Sequence, residues 1–170
     1  MKINLRSVLQ ETGSTVGYDL TEDFPAQEFG GESYAFRSPV TVKLQVTNTG
    51  KSLLVQGQIA TELIVPCGRC LEDFVLPLRV DYEDEWVQSG RATEEQAENA
   101  FLFDRDEVDI ASRIIEQIVL ALPMKFTCTP ECQGLCPTCG TNLNKGQCEC
   151  AGKRVDPRLA ELAKWHSGKK

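Results

Sequence analysis

The sequence predicts an α+β protein in which a curved antiparallel β-sheet or partial barrel carries one packed core helix and a cysteine-rich C-terminal segment. Three observations support this prediction. Apolar and polar residues alternate between residues 40 and 80, one amphipathic helix pattern follows at residues 110–122, and six of the eight cysteines come after that helix. Strands that precede a single helix, instead of alternating with several helices, indicate an α+β arrangement.

The clearest strand patterns lie between residues 40 and 65. Valine and leucine alternate with polar residues over residues 40–46, which is the period-two pattern of a half-buried strand. Residues 48–51 have the composition of a turn. Residues 53–65 then predict one or two further strands, and Gly57 is expected to mark a β-bulge there.

The segments around these strands carry weaker signals. Residues 1–9 alternate enough to predict a strand, whereas residues 10–37 show little periodicity and are expected to form loops with short elements. Residues 74–80 predict another strand, and Pro77 suggests that it lies at an edge, because proline has no amide hydrogen to donate. Residues 88–107 are acidic and polar, so we expect an exposed loop or a short surface helix.

The strongest helix pattern follows at residues 110–122. Asp109 is a suitable N-cap, and the apolar residues after it fall on one broad face, which predicts a core helix lying on the sheet. Pro123 ends this helix. A second, shorter helix is predicted at residues 157–165, with Asp156 as its N-cap.

These elements suggest two domains. Residues 1–127 form the predicted α+β core domain, and residues 128–170 form a cysteine-rich segment with a C-terminal helix, packed on the core. Few large apolar side chains occur in residues 128–152. A bound metal therefore has to supply the stability that a hydrophobic core cannot provide there.

The sequence favours a soluble protein of a reducing compartment. No apolar run reaches the roughly 18–20 residues that a membrane span needs, and residues 1–7 lack the apolar region of a secretory signal. We therefore expect a cytoplasmic location without a membrane partner. Disulfides are rare in the cytosol, where paired cysteines more often hold a metal or carry out redox chemistry.

The net charge of −7 is unevenly distributed. Residues 72–124 carry 14 acidic and 4 basic side chains, whereas residues 125–170 carry 8 basic and 4 acidic ones. The acidic middle would repel a polyanion such as RNA, and the C-terminal end would tolerate it. Direct RNA binding is therefore compatible with the C-terminal end, although the composition does not require it.

The eight cysteines form the most specific pattern of the chain. They occur as C-x2-C, then C-x3-C, C-x2-C and C-x-C, at Cys67, Cys70, Cys128, Cys132, Cys136, Cys139, Cys148 and Cys150. A two-residue gap lets both sulfurs of a turn face one ion, and Zn²⁺ takes four such ligands tetrahedrally. Eight thiolates are enough for two zinc sites of four cysteines each.

The division of the cysteines between two sites is open at this stage. The last four fit one compact zinc knuckle, because Pro137 stiffens its turn and Gly140 permits the bend that follows. The first choice for the other site joins Cys67 and Cys70 with Cys128 and Cys132, since the core helix can return the chain to the sheet edge. The rival places Cys128, Cys132, Cys136 and Cys139 in one site.

Other uses of the cysteines fit less well. Disulfides require an oxidising compartment. A redox pair of the thioredoxin type needs its C-x2-C at the start of a helix, whereas Cys67 and Cys70 lie between strand patterns. An iron–sulfur cluster also takes four thiolates and stays open as an alternative metal.

The sequence offers no catalytic set. The one histidine, His166, lies in the C-terminal tail, and no glycine-rich phosphate loop occurs. A zinc ion held by four thiolates has no open position for water, which argues against metal catalysis. We expect a protein that is not an enzyme and has no small-molecule substrate.

The order of these motifs resembles the YceD family, the large ribosomal RNA subunit accumulation proteins. The matching segments are Cys67-Gly68-Arg69-Cys70-Leu71-Glu72, Leu120-Ala121-Leu122-Pro123, Gly134-Leu135-Cys136-Pro137-Thr138-Cys139-Gly140-Thr141-Asn142-Leu143-Asn144 and Asp156-Pro157-Arg158-Leu159-Ala160. The resemblance is strong over residues 40–165. It implies a bacterial or plastid protein that is needed for normal levels of 23S ribosomal RNA. It implies no catalytic residues.

The resemblance also bears on the metal sites and the partner. Some members of the family keep the first C-x2-C and the ligands after the helix but lack the C-terminal knuckle, which supports the first-choice pairing. We expect a non-enzymatic factor of large-subunit biogenesis that contacts precursor rRNA or a ribosomal protein. The residues expected to face RNA are Lys145, Lys153, Arg154, Arg158 and Lys164. The alternative function is a thiol-based redox or metal-buffering protein.

Overall fold

The computed structural model of the chain describes residues 1–150. The helix predicted at residues 157–165 lies outside the described residues. The chain divides into two compact units: unit 1 comprises Met1–Pro66 and Asp73–Phe126, and unit 2 comprises Cys67–Glu72 and the residues from Thr127 onward. The two domains proposed from the sequence, with their boundary after residue 127, stay a prediction.

Unit 1 is built on an open β-sheet. Its strands are β1 Lys2–Asn4, β2 Thr15–Glu22, β3 Gln27–Phe29, β4 Glu32–Phe36, β5 Val40–Asn48, β6 Leu53–Pro66, β7 Asp73–Gln88, β8 Phe101–Phe103 and β9 Glu107–Asp109. The helices are α1 Arg6–Leu9, α2 Glu94–Asn99 and α3 Ala111–Leu120, and a 3₁₀ turn covers Ser89–Arg91. The predicted α+β class is confirmed, and the main sheet does not close into a barrel.

The central strand of the sheet is β6. It pairs antiparallel with β5 and then β4 along one edge, and with β7 along the other. β2 extends the sheet beyond β5, β3 pairs with β4, and β8 pairs with the last residues of β7 in the parallel sense. β1 and β9 form a separate two-stranded sheet. Over its first thirteen residues β7 pairs with β6 alone among the described strands, so Pro77 occupies the predicted edge.

Alternate residues of β5 and β6 form the core of unit 1, as their period-two pattern predicts. All four apolar residues at the alternating positions of β5 are buried, and so are five of β6. From α3, Ile114 and Ile118 are buried as well. Burying a side chain of this size contributes about 1.5–3 kcal/mol, so the helix is held mainly by its apolar face.

An ion pair within unit 1 joins β7 to α3. The carboxylate of Asp84, whose side chain is 6% exposed, accepts hydrogen bonds from Nε of Arg113 at 2.8 Å and from Nη2 of the same residue at 3.0 Å. The hydroxyl of Tyr82 and the indole N–H of Trp86 donate to the same carboxylate at 2.8 and 3.2 Å. Burial, followed by the negative charge of Asp84, raises the pKa of Tyr82 above its usual range.

The structure corrects the expectations for the first 37 residues. The predicted strand at residues 1–9 ends at Asn4, and α1 follows because Leu5 and Val8, three residues apart, are both fully buried. Residues 10–37 contain the eight-residue strand β2, which the sequence missed. Its inward side chains are only partly buried, so the contrast between its two faces is weak.

Gly57 does not mark a bulge. It pairs with Leu44 in a register that runs without interruption from residue 53 to residue 60. A Cβ atom on Gly57 would lie 1.9 Å from the carbonyl oxygen of Lys43. A glycine is therefore needed here because two backbones approach closely. An isolated glycine in a strand pattern looks the same in the sequence whether it marks such an approach or a bulge.

The core helix is shorter than its apolar pattern. It starts after Ile110, which takes the N-cap position, and ends at Leu120. Asp109 is the last residue of β9, although its Oδ1 still accepts the N–H of Ala111 at 3.0 Å. In the acidic region before it, the expected surface helix is present as α2, with no buried residue, whereas the three-residue strands β8 and β9 were missed.

Candidate metal centres

Unit 2 brings four cysteines together in a first cluster, formed by Cys67, Cys70, Cys128 and Cys132. Each offers one sulfur, and all four sulfurs lie within 4.8 Å of one another. Cys67 and Cys70 come from the segment that joins β6 to β7, and the other two come from the chain after α3. Three of the four residues are buried and Cys128 is partly exposed.

The sulfur–sulfur distances fit a tetrahedral metal site. Sγ of Cys67 lies 3.8 Å from Sγ of Cys132, and Sγ of Cys70 lies 3.8 Å from Sγ of Cys128. A tetrahedron with metal–sulfur bonds of about 2.3 Å places its sulfurs about 3.8 Å apart. A disulfide would bring two of them to about 2.05 Å. The geometry is thus that of four ligands around one ion.

Backbone N–H groups point at the first sulfur of this cluster. The amide of Arg69 donates to Sγ of Cys67 at 3.5 Å, and the amide of Cys128 donates to the same atom at 3.4 Å. The amide of Leu71 donates to the carbonyl of Cys67 and closes the turn. Leu71 itself has a φ of 61°, in the left-handed region, and is 68% exposed. A non-glycine residue there costs about 1–2 kcal/mol, and the rest of the turn has to hold it in place.

The second cluster, formed by Cys136, Cys139, Cys148 and Cys150, repeats this turn. Its four sulfurs also lie within 4.8 Å of one another. The amide of Thr138 donates to Sγ of Cys136 at 3.5 Å, and the amide of Gly140 donates to the carbonyl of Cys136 at 2.9 Å. Gly140, with a φ of 73°, occupies the position that Leu71 takes in the first turn. The two turns share one geometry and differ in exposure, since Cys139 is exposed.

The thiol pKa values are pushed apart within each cluster. Burial acts to raise the pKa of Cys67, but N–H groups led by that of Cys128 outweigh it and lower the pKa to about 6. Burial and the neighbouring thiols raise the pKa of Cys128 to about 12. In the second cluster the hydroxyl and amide of Thr141 lower the pKa of Cys139 to about 6, and Cys139 in turn raises that of Cys150 to about 12. Four thiolates so close together need a cation to ionise as a set.

The sequence prediction and the structure group the cysteines in the same way. The first-choice pairing of Cys67 and Cys70 with Cys128 and Cys132 is the one that the structure brings together, and the rival pairing is not formed. Each group of four is close enough to hold a metal ion.

The residues expected to face RNA are only partly described. Lys145 forms an ion pair with Glu72, which raises the pKa of the lysine and lowers that of the glutamate. Lys153, Arg154, Arg158 and Lys164 lie outside the described residues, as does His166. Their role stays a prediction.

Two side chains next to the first cluster were missed by the sequence analysis. Nδ2 of Asn144 donates to Sγ of Cys132 at 3.3 Å, and Nη1 of Arg69 donates to the carbonyl of Cys132 at 2.8 Å. Arg69 was visible as the third residue of the first C-x2-C, but a charged residue in a turn is usually exposed. Asn144 carries no signal of its own, because its contact depends on how the chain folds back.

None of the helices described in residues 1–150 has the length and apolarity that crossing a membrane requires. No solved structure shows a significant match to the chain.

Several relatives are similar over most of the chain. An uncharacterized protein of Mycobacterium tuberculosis is 30% identical over 122 residues, which cover 70% of this chain and 58% of the relative. The maize protein named Large ribosomal RNA subunit accumulation protein YCED homolog 1, chloroplastic, is 30% identical over 149 residues, with 70% of this chain and 51% of the relative covered. YlbN, an uncharacterized protein of Bacillus subtilis, is 28% identical over 128 residues, 75% of this chain and 74% of the relative.

The family comparison covers both clusters. This chain matches less than two thirds of the length of the mycobacterial and maize relatives. The family described as Large ribosomal RNA subunit accumulation protein YceD matches residues 55–165, which contain all eight cysteines. Because this match spans more than half of the chain, the protein belongs to the YceD family.

Proposed function

We propose that this protein is a non-enzymatic factor for 23S rRNA accumulation and large ribosomal subunit biogenesis, and that it binds two structural zinc ions. The zinc proposal is supported by the two clusters of four cysteine sulfurs. In the first cluster two pairs of sulfurs lie 3.8 Å apart, as they would around one tetrahedral metal ion. The ribosomal role rests on membership of the YceD family and on the name of the maize relative. Such a factor would act in the cytoplasm, where bacterial ribosomes assemble.

The donor set favours zinc with a structural role. Zn²⁺ is bound tetrahedrally by four thiolates in structural sites, and no position is left open for water. The residues that would hold it are Cys67, Cys70, Cys128 and Cys132 in the first site and Cys136, Cys139, Cys148 and Cys150 in the second. Bound there, zinc would supply folding free energy to a unit with few apolar side chains. A site of this kind supports a binding factor better than an enzyme.

The charge of the described residues favours a basic ribosomal protein as the direct partner. The outward face of β7 carries three successive carboxylates at alternate positions, Asp81, Glu83 and Glu85, and all three are exposed. Within residues 1–150 none of them forms a salt bridge. Glu83 and Glu85 border an open groove of about 860 Å³ that Glu95 of α2 also lines, and the basic residues Lys51 and Arg91 line it too. A positively charged segment would neutralise this face, whereas RNA would be repelled by it.

The metal content tests the zinc proposal. Protein purified without chelator or metal-affinity resin should contain about two zinc ions per chain by elemental analysis, and its thiols should resist alkylation until a chelator is added. Iron in place of zinc would correct the proposed identity of the metal. Little metal with reactive or oxidised thiols would contradict the structural sites and favour the redox or metal-buffering alternative.

Association with ribosome precursors tests the ribosomal part. The tagged protein should co-sediment with large-subunit precursors, and cross-linking should identify the molecule that it touches. The variant Glu83→Gln with Glu85→Gln should lose this association, whereas Glu11→Gln with Glu28→Gln, which removes the same charge from other exposed positions, should retain it. Cross-links to rRNA that survive the first variant would overturn the basic-protein partner. Absence of the protein from precursors would overturn the ribosomal role itself.

A further inference from the structure

The chain that follows Cys132 folds back onto the first cluster. We call residues 133–144 the linking segment. Gly134 and Leu135 pair with residues near its other end: the amide of Leu143 donates to the carbonyl of Gly134 at 2.9 Å, and Leu135 forms a β-bridge with Asn142. The turn that carries Cys136 and Cys139 is the tip of this small antiparallel pair. The linking segment therefore contains half of the ligands of the second cluster.

One side chain of the linking segment contacts a ligand of the first cluster. Nδ2 of Asn144 donates to Sγ of Cys132 at 3.3 Å, and Oδ1 of Asn144 accepts the amide of Gln133 at 2.8 Å. The same side chain is held from behind, because Nδ2 also donates to Oδ1 of Asn142 at 2.9 Å. Asn144 is thus oriented at both ends of its amide. A hydrogen bond to a thiolate stabilises the charged form that binds metal.

The backbone of the linking segment also meets the first C-x2-C turn. The amide of Leu135 donates to the carbonyl of Arg69 at 3.2 Å, and the guanidinium of Arg69 returns a hydrogen bond to the carbonyl of Cys132. Gly134, with a φ of 73°, permits this approach, since a Cβ there would lie 2.9 Å from the carbonyl oxygen of Arg69. The ion pair between Lys145 and Glu72 adds a contact just past the segment.

These contacts make the order of one cluster depend on the other. A metal ion in the second cluster would fix the tip of the linking segment, and with it the position of Asn144 and of the Leu135 amide. Asn144 contacts Cys132 of the first cluster, and the Leu135 amide contacts Arg69, which lies in the turn between Cys67 and Cys70. Few apolar side chains are available to hold the segment in place otherwise, so the metal contributes much of its order.

We propose that the two clusters bind metal as a coupled pair, and that Asn144 is the positioning residue that couples them. The proposal rests on the metal binding given under the proposed function and adds a dependence between the sites. Because coupling free energies are reciprocal, an ion in either cluster tightens binding at the other by the same factor. Removing a side chain that hydrogen-bonds to a metal ligand, as Asn144 does to Cys132, typically lowers the metal affinity by about 10- to 100-fold.

The first test counts ions on the intact protein. The metal-free protein is titrated with Zn²⁺, and native mass spectrometry measures the fractions with no ion, one ion and two ions. Two independent, equal sites would give roughly half of the molecules one ion at half-saturation, whereas coupling of about 100-fold leaves about a tenth. A one-ion form that reaches half or more of the molecules, together with the same affinity at the first cluster whether or not the second cluster can bind an ion, would overturn the coupling while leaving the metal sites intact. Failure to bind any ion would overturn the proposed function itself.

The second test uses matched variants. Asn144→Ala removes the amide that contacts Cys132, and Gln147→Ala removes an exposed amide from the same part of the chain. Asn144→Ala should lower affinity at the first cluster by about 10-fold and raise the one-ion fraction, and Gln147→Ala should match the parent. Equal behaviour of the two variants would exclude Asn144 as the coupling residue.

A third variant separates coupling from local damage. Cys148→Ser with Cys150→Ser removes two ligands of the second cluster and leaves every residue of the first cluster unchanged. Binding of the remaining ion should be about 10- to 100-fold weaker than binding at the first cluster of the parent when its second cluster is filled, and adding Asn144→Ala should then have little further effect. Unchanged affinity at the first cluster would show that the two sites fill independently.

Discussion

The ion pair between Asp84 and Arg113 offers a sharp test of how unit 1 is held together. Asp84 is almost fully buried, and five donors surround its two oxygens: two from Arg113, one each from Tyr82 and Trp86, and the amide of Glu85 at 3.0 Å. The substitution Asp84→Asn keeps the shape of the side chain. It replaces one carboxylate oxygen, a hydrogen-bond acceptor, with an NH2 group that would face the surrounding donors. It also removes the main negative charge next to the guanidinium of Arg113.

The expected loss follows from the burial of the pair. Removing one partner of a buried ion pair costs about 3–5 kcal/mol, because the remaining charge is left uncompensated. Arg113 is 23% exposed, so water can reach part of it and the lower half of that range applies. We expect Asp84→Asn to lower the free energy of unfolding by about 3 kcal/mol, or the melting temperature by roughly 10 °C.

Glu116→Gln provides the matched control. Glu116 contacts the same guanidinium at 2.9 Å, but its side chain is 54% exposed. An exposed pair contributes about 0.2–1 kcal/mol. Urea unfolding followed by circular dichroism at a constant pH would measure both variants. Equal losses for the two would refute the reasoning, because burial would then not determine the contribution of each carboxylate. The double variant Asp84→Asn with Arg113→Met should recover part of the loss, since no buried charge remains.

Three further results are expected. Removing metal with a chelator should increase hydrogen exchange first in residues 128–150, and unchanged protection there would contradict a metal-dependent unit. Gly57→Ala should lower the free energy of unfolding by about 3 kcal/mol or more, because its Cβ would lie 1.9 Å from a backbone oxygen. Gly17→Ala is the control, because the nearest atom to its Cβ would be a backbone oxygen at 4.0 Å. In the same urea assay this control should be neutral or stabilising by about 0.5 kcal/mol. Asp109 has its pKa lowered, chiefly by the N–H of Ala111, so its stabilisation is present above its ordinary pKa of 3.8 and is lost as the pH falls through the lower, folded-state value. Asp109→Asn should therefore destabilise at pH 7 and approach the parent in acid, and a difference that does not depend on pH would exclude this origin.

The fold could be predicted where burial imposes a period on the sequence. Strands β5 and β6 have one face in the core, so apolar residues alternate and their positions were correct. β2 lies at the end of the sheet and buries its side chains only partly, which weakens the same signal. The three-residue strands β8 and β9 are too short to show any period. Gly57 misled the prediction because close backbone approach and a bulge both require glycine.

The cysteine clusters could be predicted in part because sulfur spacing is local chemistry. Each C-x2-C turn sets two sulfurs toward one point, whatever the rest of the chain does. The donors that surround the sulfurs could not be predicted in this way. Asn144 reaches Cys132 only because the linking segment folds back on itself, and an asparagine in a polar stretch gives no sign of such a contact.

The sequence alone determined the class of the fold, the family and the cysteine pairs from which the two clusters are built, because period, motif order and spacing are properties of neighbouring residues. Only the tertiary structure decided how the eight cysteines divide, since Cys67 and Cys128 are 61 residues apart and their meeting depends on where β6 and α3 end. It also decided that Asp84 and Arg113 form a buried pair across 29 residues. Burial imposes a period on each element, but the order of residues along the chain does not say which distant residues pack against each other.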